Sequence, residues 1–134
     1  MIVLDASAIV SIMLEEADAS MLSERLDTYE TMRFASAVTI WEAACAVARR
    51  KAVARTRGLA LVQEFVQTAG IEPVAPDMGI TALAIEAADR YGIGPGYPGI
   101  LNLGDCFSYA TAKYLRAALL FKGDDFGRTD VTPA

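Results

Sequence analysis

The chain contains no histidine, and its two cysteines, Cys45 and Cys106, stand far apart with no C-x-x-C spacing. Imidazoles and paired thiolates are the donors from which zinc and haem sites are built, so neither centre is expected. Basic charge is also scarce: 12 lysines and arginines face 17 acidic residues, for a net charge of −5. Nonspecific nucleic-acid binding draws on cationic charge, so this balance argues against a simple charge-driven binder. It leaves room for an enzyme that meets phosphate through bound cations. No apolar run reaches the length of a membrane span, Asp5 interrupts the early one, and the first residues lack the basic flank of a secretory signal. The expectation is a cytoplasmic protein with no membrane contact and both thiols reduced.

What the sequence has in plenty is apolar surface. Hydrophobic residues make up 54% of the 134, and the mean hydropathy is +0.32. A chain of this length can bury a sizeable core as one domain over residues 1–134. The surplus predicts a greasy face left over for a partner or a second copy.

The pattern is organised around MIVLDASA. Met1 to Leu4 is an unbroken apolar run ending at Asp5, the signature of a strand buried on both faces in a parallel sheet. Asp5 then stands at the strand's carboxyl end, where open α/β sheets bind their ligands. IVSIMLEE and DASMLSERL read as two short helices, the second capped by Asp18. A second strand over Met32 to Ala35 leads into the helix SAVTIWEAACAVARRKAVA, and RTRGLALVQEFVQTAG closes a further helix at Gly70. IEPVAP is a third strand, placed at a sheet edge by Pro73. Asp77 caps MGITALAIEAADRY, which stops at Gly92, and GIGPGYPGILN reads as a surface loop near a site. A helix opens at Asp105, ALLFKG is a fourth strand, DDFGRTD a turn, and Val131 the remnant of a last strand. Strands alternating with helices predict an α/β fold, a parallel sheet with helices on both faces.

Acidic residues recur at comparable places in this pattern. Asp5 ends the first strand, Glu42 lies at the start of the helix after the second, Asp105 opens a helix, and Asp124 and Asp125 follow the fourth strand. Strand ends and the helix starts after them share one edge of a parallel sheet, so these carboxylates are expected to meet there. Together they repel, and at least one pKa should rise. The usual remedy is a hard divalent cation on oxygen ligands, so Mg²⁺ or Mn²⁺ is the centre this chain can most readily build. Such a centre suits in-line attack of water on a phosphodiester. Each acid also has a plain structural reading. Thr39 and Glu42 match a T-x-x-E capping box, Asp5 and Asp105 suit helix caps, and Asp124 or Asp125 suits a turn.

MIVLDASA, the TIWE segment, LNLGDCFSYATA and LLFKGDDF together resemble a PIN domain, specifically the VapC-type ribonuclease toxins of bacterial toxin–antitoxin pairs. The resemblance runs nearly end to end, and LNLGDCFSYA and LLFKGDDF are its most specific parts. It implies a PIN-like three-layer fold whose mostly parallel sheet has about four to five strands. It also implies a Mg²⁺- or Mn²⁺-dependent endoribonuclease, usually a homodimer, inhibited by a cognate VapB-like antitoxin. Carried over by motif, Asp5, Glu42 and Asp105 become the catalytic and metal-binding acids, with Ser7 as polar support. GDDF offers both Asp124 and Asp125 as a fourth acid, and Asp125, directly before Phe126, matches the pattern. The loop before LNLGD departs from the family by carrying neither histidine nor a basic residue.

RNA contacts are therefore sought in the basic cluster Arg49, Arg50, Lys51, Arg55 and Arg57, although cations at a helix C-terminus also suit the dipole alone. Trp41 and the CFSYATAKY face are expected in the core. The helix between Asp5 and Glu16 is a candidate for contact with an antitoxin helix, set against core packing. Two other functions compete. An Asp5-nucleophile phosphatase would want a second Asp two residues on, where Ser7 stands. A PIN-like scaffold without nuclease activity would bind its antitoxin and no metal.

Overall fold

The computed structural model describes residues 1–94 and 97–134, with Tyr97 and Pro98 described by backbone alone. Strands β1 (Ile2–Leu4), β2 (Arg33–Ser36), β3 (Ile71–Val74) and β6 (Ala118–Leu120) form a four-stranded parallel sheet in the order β3-β2-β1-β6. Val3 lies opposite Phe34 on one side and Leu119 on the other. β1 is internal, and none of Ile2, Val3 and Leu4 is exposed. That is why this strand reads as a continuous apolar run.

Side chains alternate across the sheet, and the core divides accordingly. Ile2 and Leu4 pack with α1 (Ala6–Met13), α2 (Ala19–Thr28), α3 (Ala37–Lys51) and α4 (Arg55–Thr68), through Ile9, Leu22, Val47 and Val62. Val3 and Leu119 face α5 (Met78–Tyr91) and α6 (Leu103–Leu115), through Ile80, Tyr109 and Ala110. The result is three layers, helices on both faces of the sheet. Fully burying each such aliphatic side chain contributes about 1.5–3 kcal/mol. α3 and α4 cross closely because Gly58 has no side chain; a Cβ there would collide with the Ala44 carbonyl. The apolar surplus reappears on the surface, where Met78, Leu103, Ile93 and Ile85 are 80, 70, 67 and 61% exposed.

Pro73 lies in the edge strand and Asp77 caps α5, its carboxylate accepting from the Ile80 N–H at 2.9 Å. Several local expectations need correction. Thr39 does not cap α3; Ser36 does, accepting from the Val38 N–H, and Glu42 lies beyond the first turn. Asp18 occupies the cap position of α2 without accepting a capping bond and pairs with Lys122 at 3.7 Å instead. α3 ends at Lys51 because Ala52 turns left-handed, with φ of 53°. The glycine-rich stretch is more ordered than a plain loop: β4 (Ile93–Gly94) and β5 (Tyr97–Pro98) pair antiparallel. Residues 95 and 96 of that stretch lie outside the described residues. The last strand is reduced to a bridge at Pro133 rather than Val131, held by the Leu119 N–H on the Thr132 carbonyl at 2.8 Å.

Candidate active site

Asp5 sits where β1 ends and α1 begins, 3% exposed, and both of its carboxylate oxygens are engaged. Oδ2 accepts from the Ser7 N–H at 2.9 Å and the Ser7 hydroxyl at 2.6 Å. Oδ1 accepts from the hydroxyl of Ser108, on α6, at 2.6 Å. Ser108 has one proton and gives it to Asp5, so Thr39, 2.9 Å away on α3, must be the donor to Ser108. Ser7 Oγ in turn accepts the Lys122 N–H at 3.0 Å, tying the segment after β6 to the same carboxylate. Hydroxyls thus satisfy this buried carboxyl group where a cationic side chain would do so elsewhere. A carboxylate has about four acceptor positions, and three are taken, leaving room for roughly one more partner.

Glu42 projects from α3 beside the first turn of α6. Gly104 makes that possible, because a Cβ at 104 would fall on the Glu42 carboxyl group. Burial, then the charges of Asp5 and Asp105, push Glu42 up from 4.5 to about 7. Asp105 completes a capping box with Asn102, accepting from the Asn102 N–H at 3.0 Å while Asn102 Oδ1 accepts from the Asp105 N–H at 2.9 Å. α6 therefore starts at Leu103 with Asn102 as its cap, not at Asp105. Burial raises Asp105 from 3.8 to about 6, against the lowering effect of the Asn102 bond and with added repulsion from Asp5 and Asp125.

Asp125 opens a short 3-10 helix, Asp125–Arg128, whose Phe126 is buried 5.1 Å from the Phe121 ring centre. Its charge reaches Asp105; Asp124 enters none of these couplings. Both are exposed. Lys122 points its ammonium at Glu16, at 3.1 Å, and Asp18, so it anchors the loop.

The acids border an open cleft of about 950 Å³, lined by Asp5, Ser7, Glu42 and Asp105 together with Trp41, Cys45, Arg49, Arg55 and Asn102. Asp124 and Asp125 do not line it. Of the basic cluster only Arg49 and Arg55 do; Arg50, Lys51 and Arg57 are exposed elsewhere. Trp41 is 65% exposed on the cleft wall, against the expectation of a core residue; of the CFSYATAKY face Cys106 and Tyr109 are buried as expected, but Tyr114 is exposed. Ser108, Thr39 and Gly104 were not among the expected site residues. Ser108 stands three positions after Asp105, a helical spacing that signals a shared face.

Among the described residues, no three acids already converge on one ion-sized point. The donor set nevertheless suits a hard cation: it is all oxygen, its members repel, and Mg²⁺ typically takes one or two carboxylates and fills its remaining positions with water. No helix of the described residues is long and apolar enough to cross a membrane.

The PIN domain family matches residues 2–131. A VapC ribonuclease of Rhizobium meliloti is 36% identical over 138 aligned positions, covering 95% of this chain and 96% of its own. Ribonuclease VapC42 of Mycobacterium tuberculosis is 39% identical over 132, covering 98% of each. Among solved structures, M. tuberculosis VapC20, a Sarcin-Ricin loop cleaving toxin, superposes with a TM-score of 0.75 at 14% identity, over 100% of this chain and 98% of that one. A toxin–antitoxin complex from Klebsiella pneumoniae gives 0.70 at 16% identity, over 100% and 98%. With this fold, these acids at one sheet edge and these relatives, the chain belongs to the PIN domain family, in its VapC group.

Proposed function

We propose that the protein is a divalent-metal-dependent endoribonuclease, the toxin of a VapBC-type pair, held in check by a VapB-like antitoxin and working as a homodimer. One observation carries the reading: Asp5, Glu42 and Asp105 border one cleft, and burial and mutual repulsion push two of them up to about 7 and about 6. Asp5, Glu42 and Asp105 would hold Mg²⁺ or Mn²⁺, with Asp125 rather than Asp124 as the fourth acid. The cation's part is to neutralise charge on the phosphate and make water more acidic.

The residues supply the rest. Ser7, Ser108 and Thr39 fix Asp5 in one orientation. Glu42, raised to about 7 while no cation is bound, would serve as a ligand and give up its proton on binding, and the proton lost by attacking water would pass to solvent. Water adds to phosphorus, the P–O bond to one ribose oxygen breaks, and that oxygen takes up a proton. Arg49 and Arg55 would contact neighbouring phosphates. Asp5, with three acceptor positions filled, is poorly presented as a phosphatase nucleophile.

The test is cleavage of total bacterial RNA by antitoxin-free protein in Mn²⁺, Mg²⁺ or EDTA, beside Asp5→Asn. Discrete metal-dependent fragments absent from the variant are expected. No cleavage by folded protein in either metal, and no metal-dependent stabilisation, would favour the scaffold.

A further inference from the structure

We infer that Trp41 is a stacking platform for an unpaired RNA base at the mouth of the carboxylate cleft, with Arg49 and Arg55 holding neighbouring phosphates. The inference rests on the ribonuclease reading and narrows its substrate to RNA whose bases are unstacked at the cleavage site.

The core face of α3 is made by Ala43, Ala44, Val47 and Ala48, none more than 4% exposed. Trp41, the chain's single tryptophan, stays largely outside it, 65% exposed. It forms the ridge between the carboxylate cleft and a second, mostly apolar hollow of about 270 Å³, lined by Ile40, Ala44 and Leu59. Arg55 borders both hollows as well. An exposed indole next in sequence to Glu42 therefore offers a flat apolar face beside the acids.

Charge indicates what such a face receives. Arg49 and Arg55 are exposed and make no ion pair among the described residues, so no structural partner accounts for them. Glu42, Cys45 and Arg49 follow at helical spacing along one face of α3, all lining the cleft. Arg49 thus lies two turns, about 10 Å along the axis, from the acid. A cleft lined by carboxylates, two cations without ion-pair partners among the described residues and an exposed aromatic face fits a single polynucleotide strand. Paired RNA hides its base faces, whereas splayed bases stack on aromatics and on guanidinium planes.

The single tryptophan makes the test direct. Glu42→Gln protein, checked for its fold by circular dichroism and kept in EDTA so that cleavage does not intervene, is titrated with a short single-stranded oligoribonucleotide, its duplex, and an abasic strand of equal length. The expected result is quenching of Trp41 emission by the base-bearing single strand alone. Trp41→Ala should weaken binding of that strand about tenfold or more, with Trp41→Phe restoring most of it. Arg49→Glu with Arg55→Glu should weaken the base-bearing and abasic strands alike, and Arg57→Glu should weaken neither. Equal affinity in Trp41→Ala, with emission unmoved while binding still depends on Arg49 and Arg55, would overturn the platform and leave the ribonuclease reading standing. No binding of any strand would overturn both.

Discussion

Glu42 makes the metal-free protein a titratable object. An acid whose pKa is higher in the folded chain than in the unfolded one stabilises the fold in its protonated form. That contribution is complete below the unfolded pKa and is lost as pH rises through the folded one. For Glu42 the window runs from 4.5 to about 7, and for Asp105 from 3.8 to about 6. At about 1.4 kcal/mol per pKa unit, the Glu42 shift alone is worth roughly 3 kcal/mol at full value. The side chain borders an open cleft that water reaches, which reduces this to about 1–2 kcal/mol. Through Glu42 alone, metal-free protein should therefore lose about 1–2 kcal/mol of stability between pH 4.5 and 7, seen as a fall of about 4–7 °C in Tm. Glu42→Gln should remove that part of the fall and leave the part due to Asp105, and saturating Mg²⁺ or Mn²⁺ at neutral pH should restore the wild-type loss, since a ligand at a hundred times its Kd contributes about 2.7 kcal/mol. Asp130, held down to about 2 by its bonds from Tyr109 and Lys113, acts with the opposite sign below this window. Thermal unfolding across pH with chelator, and with either cation, is the assay. A Tm that is level or rises over that interval, unaltered in Glu42→Gln, would refute the account of Glu42.

Three further outcomes follow from the geometry. Ser108→Ala strips the donor from a buried oxygen of Asp5 and should cost about 1–3 kcal/mol in urea unfolding, with weaker Mn²⁺ binding by calorimetry; Ser108→Thr, which keeps the hydroxyl, should recover the binding. Gly104→Ala drives a Cβ into the Glu42 carboxyl group, so Glu42 must move and cleavage should fall at least tenfold, while crowding at this buried position should cost about 1–3 kcal/mol of stability. Asp125→Asn should lower the acidity shift of Asp105 and weaken metal-dependent stabilisation, whereas Asp124→Asn should change neither; equal effects from the two would undo the choice between them.

The parts of the fold legible in the sequence are those set by local chemistry. Met1 to Leu4 declares β1 because a strand covered on both faces needs no alternation. Pro73 marks the edge because it has no N–H for a ladder, and Asp77 caps α5 through its own next turn. That Asp5, Glu42 and Asp105 share one cleft was legible for a related reason, since a parallel sheet brings strand ends and the helices after them to one edge; Asp124 and Asp125, expected with them, do not line it. Illegible were the choices decided across the chain. Thr39 and Glu42 have the spacing of a capping box, but Ser36 ends β2 and takes the cap, freeing Thr39 to meet Ser108 from a helix far away in sequence. Trp41 lies at the border of the α3 core stripe, where spacing alone does not decide between packing and exposure. Gly104 looks like an ordinary member of LNLGD until the Glu42 side chain arrives beside it.

The hydrogen bond from Ser108 to Asp5 joins residues 103 positions apart, and β1 is closed on its second side only by β6. During synthesis, then, the first carboxylate is made early but waits for its restraints until nearly all the remaining described elements have emerged. An incomplete nascent chain has Asp5 without its Ser108 donor and β1 with one bare side. Asp5 thus reaches its full set of donors only at the last stage of maturation, when the chain can fold around its own beginning.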